Sequence, residues 1–511
     1  MRHIEVRRGL YRDSVQLMQI SAALADRPDV EKALVAMATG VNLDMLAEMG
    51  FEPPTDAGPN DMVVALVATD EGGVAAALSQ LDEELAGETA ASRAADRTGV
   101  DGTGGWSAPR SVGTGVKLAG PGAVVLVSTP GRNAFVEAMD ALDAGASVMV
   151  FSDNVPVEQE VRLKRAAAAR GLLVMGPDCG TAVLGGVGLG FANVVRRGPI
   201  GLVAASGTGA QHVMSLLSDH IGISHCIGVG GRDLAEEVSG ASTHAALDLL
   251  DADPMTEFIV VLGKPASEAV AASLRDHIAR LATPALLAPL GMGRPDLTAV
   301  AEEVLTRRGV PVPTWARWEP ARRSAGPSAG EPRSEPTGGG FLRGLFSGGT
   351  LCSEAMIIAA ESLGAIRSNV PLRPEWSLRA DPDASQHGHW MLDLGDDTYT
   401  IGRPHPMIDF GPRLTLLERE SADPSCRVLL LDVVLGHGAH PDPASELAPA
   451  IRKALERSTP LTVVVSLVGT SGDPQGLGRQ AEALRQAGAW VFESNAAAAR
   501  HAVSIVAGGA P

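Results

Sequence analysis

Aromatic residues make up only 3% of the 511 positions, with two tyrosines among them. Stacking platforms for single-stranded nucleic acid are therefore scarce. Basic charge is also in deficit: 42 Lys and Arg against 60 Asp and Glu leave a formal charge of −18, which argues against a phosphate backbone as partner. No stretch approaches eighteen consecutive apolar residues, and the start, MRHIEVRRGLYRDSV, lacks an apolar core of the kind a secretory leader carries. The expected location is cytoplasmic, with no membrane partner. The four cysteines, Cys179, Cys226, Cys352 and Cys426, form no CxxC pair, as suits reduced thiols. Residues 1–86 contain neither GxGxxG nor GxxxxGK, so no nucleotide fingerprint opens the chain.

What is present is a soluble composition, 45% hydrophobic and 20% charged, in a chain too long for one core. The stretch Gly198 to Asp233 organises the rest. An apolar run, Ile200 to Ala205, meets Ser206, Gly207 and Thr208 and then a helical pattern through Val213, Leu216 and Leu217. Such a joint leaves the first N–H groups of a helix unpaired at its positive end, and small residues there let an anion approach. Ser206 or Thr208 can cap the helix or bind an oxyanion. A second run, Ile223 to Val229, ends in Gly230 and Gly231, beside the first if the sheet is parallel. Tight packing at a strand-to-helix turn explains one such joint equally well.

The chain repeats the pattern. Ser347, Gly348, Gly349 and Thr350 stand before a second helix, and Asp423-Pro424 repeats Asp253-Pro254 ahead of a buried run. The second copy carries about thirty extra residues, which marks a divergent duplication rather than an array.

Alternating strand and helix patterns predict an α/β chain: a small N-terminal α/β domain (1–86), a linker or mobile loop (87–116), a Rossmann-like domain (117–197), a parallel-sheet domain (198–318), a linker (319–340) and a second parallel-sheet domain (341–511). Ligands then belong at the carboxyl ends of the strands. Candidate groups there are Arg132 and Asn133, at the first turn of a helix, and Arg403 and His405, held between two prolines. His437 suits acid-base work, and Asp442 either faces substrate or caps the helix that begins at Pro443. Cys179, in GPDCGT, is the cysteine placed nearest such an end, and Lys264 is conspicuous among few lysines. His437, His440 and Asp442 make too small a set for a metal without a further ligand, so no metal is expected.

The runs VSTPGRN, VMGPDCGTAVL, ASGTGA, IGVGGRD and DADP resemble the α subunit of succinyl-CoA synthetase in order and spacing, over about residues 120 to 310. With SGGTLCSEA, GRPHPMIDFGPRL and LDVVLGHGAHPDPA added, nearly the whole chain resembles the FdrA family. The resemblance implies a Rossmann-like CoA-binding-type domain followed by two flavodoxin-like domains. In the synthetase, it implies, helix N-termini bracket a phosphate on the histidine of a GHAGA loop; here the corresponding segment reads GMGRPDLTAV, with no histidine. That loss, and the missing first half of the CoA-binding fold, count against ATP-driven CoA ligation. The FdrA resemblance implies a subunit of a multisubunit carbamoyltransferase of purine (allantoin) breakdown, with phosphate or carbamoyl phosphate and oxalurate as substrates. An acyl-CoA synthetase subunit and a non-catalytic scaffold are the competing readings.

Overall fold

The computed structural model describes residues 1–10, 12, 14–58, 60–95, 109, 111–263, 266–321, 340–378, 388–400, 403–457 and 459–508. Lys264, most of the 319–340 linker and part of the 87–116 stretch lie outside the described residues. The chain divides into two compact units: residues 1–115 with Thr400–Pro404, and the remainder.

The first unit runs β1 (Arg2–Arg7), α1 (Ser14–Ala25), β2 (Val30–Met37), α2 (Gly40–Glu48), β3 (Met62–Ala68) and α3 (Glu71–Ala95). β3 lies between β1 and β2 and is antiparallel to both. Its sequence, MVVALVA, does not alternate because both faces are covered. Met62, Val64, Leu66 and Ala68 join a core with α1 and α3, while Val63 and Ala65 pack with Leu46 and Phe51. α3 continues to Ala95, well into the stretch whose composition reads as linker. Alanine is the commonest residue there, and it favours helix while adding little that could be buried.

A short helix, α4 (Val112–Ala119), leads to a three-stranded parallel sheet: β4 (Val124–Val127), β5 (Ser147–Val150) and β6 (Val174–Met175), with α5 (Gly131–Asp143) and α6 (Val157–Ala168) between them. A hairpin follows, β7 (Thr181–Leu184) and β8 (Val187–Gly190). It belongs to the next sheet, where β7 pairs antiparallel with the strand Ile223–Gly228. The Rossmann-like sheet thus ends at β6, earlier than composition suggests.

That next sheet has the order β12-β11-β9-β10-β7-β8, built from β9 (Arg197–Ala204), α7 (Gly207–Ser218), β10 (Ile223–Gly228), α8 (Ala241–Ala252), β11 (Phe258–Gly263), α9 (Glu268–Ile278), β12 (Ala285–Pro289) and α10 (Leu297–Arg307). The last sheet has the order β13-β18-β17-β16-β14-β15. Its elements are β13 (Arg317–Trp318), β14 (Phe341–Phe346), α11 (Gly349–Leu363), β15 (Trp390–Asp393), α12 (Asp397–Thr400), α13 (Gly411–Ala422), β16 (Cys426–Val434), α14 (Pro443–Ala454), β17 (Thr462–Val468), α15 (Leu477–Ala487), β18 (Trp490–Phe492) and α16 (Asn495–Ala507). The orders β12-β11-β9-β10 and β17-β16-β14-β15 are the same arrangement, so the duplication read from the sequence is a duplication of topology. The added residues of the second copy fall between α11 and β15.

In both sheets the first strand of the copy, β9 or β14, has its successors on opposite sides. This is a topological switch point, where parallel sheets open a crevice beyond the strand ends. The two serine- and glycine-bearing turns lie there. Among the described residues no helix is long and apolar enough to cross a membrane.

Candidate functional site

The two turns meet. Ser206 caps α7 by accepting the Gly209 N–H at 3.0 Å, and its hydroxyl is hydrogen-bonded to that of Thr350 on α11. The approach is close: a Cβ added at Gly348 would lie 2.7 Å from the Thr208 Oγ1, and one at Gly209 would lie 2.9 Å from the Thr350 Cγ2. Glycine is required at both places by packing.

The turns nevertheless differ inside. In the second, Ser347 donates its N–H (2.8 Å) and hydroxyl (2.9 Å) to Asp432 Oδ1, and the Gly348 N–H donates to Oδ2 (2.8 Å). Arg413, also fully buried, places Nη2 3.0 Å from the same Oδ1 and Nη1 2.6 Å from the Asp432 carbonyl. The expectation that Ser347 and Gly348 receive an external phosphate therefore meets an internal carboxylate. Sequence reading passed over Asp432, although a single charge inside the run VLLLDVVL was a usable signal, since a buried charge needs a partner. In the first turn the Gly207 and Thr208 amides have no acceptor among the described residues, and both residues are partly exposed. They stand at the positive end of a twelve-residue helix. Gly349 and Thr350 are likewise partly exposed at the start of α11.

Gly230 and Gly231 follow β10, which pairs in parallel with β9. Gly230 takes φ +88° and presses against loop 176–177, where a Cβ would lie 2.3 Å from the Pro177 carbonyl oxygen. That contact explains the glycine by packing. Arg132 and Asn133 are exposed at the start of α5, where Pro130 supplies no side-chain cap. Thr129, one residue earlier, has a buried hydroxyl without a partner among the described residues.

The remaining candidates do not converge on this point. His437 is exposed, and its backbone pairs with Ala192, donating N–H to the Ala192 carbonyl at 2.8 Å. Asp442 occupies the N-cap position of α14 without making a side-chain cap. Its carboxylate instead accepts Arg479 Nη1 and Gln480 Nε2, both at 2.8 Å. Burial alone would raise its pKa, but those two donors outweigh burial and hold it below the usual range. His405 packs its ring 5.3 Å from that of Phe191 and accepts the Met407 N–H on Nδ1, leaving Nε2 as the protonated nitrogen. Desolvation, aided by the Arg413 charge, pulls it down to about 4, so it is a neutral imidazole. Arg403 is exposed, and its segment, Thr400–Pro404, is grouped with the first unit. Cys179 is buried, and desolvation pushes its thiol up to about 12, which leaves an inert thiol.

Four residues after Thr208 and Thr350 stand His212 and Glu354, on the same helix faces as those threonines. Both are fully buried, and both were missed. Asn495 links them: its N–H donates to His212 Nε2 (3.4 Å) and its Nδ2 to Glu354 Oε2 (2.6 Å). The duplicated copies are braced by further buried contacts. Asp473 accepts Asn193 Nδ2 (2.8 Å) and the Val194 N–H (2.7 Å), and Thr298 is bonded to Ser494 at 2.7 Å.

Residues 345–505 match the CoA-ligase family model, and residues 1–100 match the model described as AllF, heavy metal-associated domain. Residues 1–100 contain no cysteine. The chain is 28% identical to the ADP-forming sulfoacetate-CoA ligase subunit SauD of Bilophila wadsworthia over 28% of its own length and 50% of that protein. It is 27% identical to the succinate–CoA ligase α subunit of Methanothermobacter thermautotrophicus over 29% and 49%. It thus spans about half the length of these ligase subunits. YahF of Escherichia coli strain K12 is 33% identical across 96% of both chains. An α/β chain carrying a CoA-ligase domain, and matched to YahF from end to end, belongs to the FdrA-like family of which YahF is a member.

Proposed function

We propose that the chain is a subunit of an acyl-transferring enzyme of the CoA-ligase type, which holds the phosphoryl oxyanion of a small acyl phosphate at the turn before α7. The observation that carries this reading is the pair of partly exposed amides of Gly207 and Thr208, without an acceptor among the described residues, at the switch point of a duplicated parallel sheet. Two N–H donors at a helix start bind oxyanions without a covalent nucleophile, and Thr350, at the start of α11, adds a second positive helix end close by.

CoA, when bound, supplies the thiol that accepts the acyl group. Thr129, Arg132 and Asn133 suit its diphosphate, since the hydroxyl is buried without a partner and the start of α5 carries no side-chain cap. The family relation thereby favours CoA and ATP over the free phosphate expected from the sequence.

A second reading is carbamoyl transfer between oxalurate and phosphate. The absence of histidine from Gly291 to Asp296 favours it, because direct attack by phosphate needs no phosphorylated side chain. Assays with the partner subunits separate the two. Acyl-CoA formation from a small carboxylate, ATP and CoA, reduced about tenfold or more by Gly207→Pro, which removes one of the two amides at a position where proline suits a helix start, and by Arg132→Ala, supports the first. Phosphate-dependent loss of oxalurate without CoA supports the second. Activity indifferent to Gly207→Pro contradicts both.

A further inference from the structure

We propose that the second turn is an anion site closed by the chain's own carboxylate, Asp432, so that only the first turn accepts a ligand. This rests on the reading of the first turn as an oxyanion site.

The donors around Asp432 are those an external oxyanion would need. They are two adjacent amides at a helix start, a serine hydroxyl, and a guanidinium, all within 2.8 to 3.0 Å. Asp432 and Arg413 have no exposure. Arg413 Nε is buried without a hydrogen-bond partner among the described residues, so the cation retains donor capacity beyond what Asp432 uses.

The strand register shows how the copies diverged. Ala204 of β9 lies opposite Leu262, and Leu345 of β14 lies opposite Leu431. The next residue along the neighbouring strand is Gly263 in the first sheet and Asp432 in the second. Where the second copy carries a carboxylate, the first carries no side chain at all. Its amides at Gly207 and Thr208 therefore stay available, while the filled turn holds Thr350 in place as the partner of Ser206.

Two measurements on the full chain test this. Equilibrium binding of inorganic phosphate to the wild type should give one site per chain. Two sites overturn the proposal, and none removes the first turn's reading and the single accepting turn with it. In the second measurement Asp432→Gly should melt about 10 °C below the wild type. Formate should restore most of that loss saturably, whereas equal chloride should not, and the wild type, whose second turn is already filled, should gain far less from formate than Asp432→Gly does. Asp432→Asn, which keeps the size and removes the charge, should melt between the two and gain no more from formate than the wild type. An Asp432→Gly protein unmoved by formate contradicts an anion site at the second turn, even if the first turn binds phosphate.

Discussion

Glu354 and His212 occupy matching places in the two copies yet hold opposite chemistry. Burial is the main cause in both: it raises the Glu354 carboxyl from 4.5 to about 7 and lowers the His212 imidazole from 6.5 to about 4. Asp296 adds to the rise of Glu354, whereas Asn495, the Leu297 N–H and the Arg500 charge oppose it. The consequences for stability run in opposite directions. Between pH 4.5 and 7 the folded chain holds the Glu354 proton and the unfolded chain does not, so stability falls as pH rises, by on the order of 3 kcal/mol in total. Between pH 6.5 and 4 the unfolded chain protonates His212 and the folded chain does not, so stability falls as pH drops. His405 acts in the same sense as His212. We expect Glu354→Gln to remove the decline between pH 6 and 7 while leaving the acid limb. Denaturant unfolding of both proteins at pH 6, 7 and 8 measures this, and an unchanged slope in the variant refutes the assignment. None of this was legible beforehand, because His212 and Glu354 look like ordinary polar residues on amphipathic helices. Only tertiary packing, of α16 against α11 around Glu354 and of α10 and α11 against α7 around His212, removes them from water.

The turns and their helices were legible as elements, because an apolar run followed by serine, glycine and threonine has few other solutions. The run Ile200 to Ala205 is seen as β9, ending at Ala204, and Val428 to Leu435 is seen as β16, ending at Val434. The hairpin of β7 and β8 escaped notice although its signal was present. Gly185 and Gly186, at φ +58° and +85°, form the two-residue turn that joins twisted strands, and two strands of four residues around them are too short to show a period. β13 is two residues long and pairs with β18 by tertiary contact alone. The facing of α7 and α11 could not be read either, since it depends on how two sheets dock. That facing predicts that Gly348→Ala, whose methyl would meet Thr208, forces the turns apart at a cost of about 2 kcal/mol. Chemical denaturation should report that loss together with weaker phosphate binding. A variant of wild-type stability and affinity would show that the turns are not in tight contact.

At the scale of the second unit, the duplicated sheets and the Rossmann-like sheet are joined by buried polar contacts as well as by apolar cores. Lys164 on α6 reaches Asp233 (2.7 Å), Glu160 (2.8 Å) and the Val229 carbonyl (3.2 Å), with all three charged groups out of contact with water. Asp233 in turn accepts the Ser242 and Thr243 N–H groups at the start of α8. Removing one member strands the others, so Lys164→Ala should cost about 3–5 kcal/mol and loosen the loop that carries Gly230 and Gly231. Hydrogen exchange should then rise at residues 229–233 and at the start of α8; exchange confined to α6 would contradict the link.

The fold class and the duplication were readable because strand and helix periods are local properties. Which donors stay unpaired was not, because Asp432 reaches its partners from another strand of the sheet. The most direct test is a crystal of the full chain soaked in inorganic phosphate. One phosphate on the Gly207 and Thr208 amides, with Asp432 still bound to Ser347 and Gly348, is the predicted result. A first turn without phosphate, or phosphate in place of the Asp432 carboxylate, would contradict it.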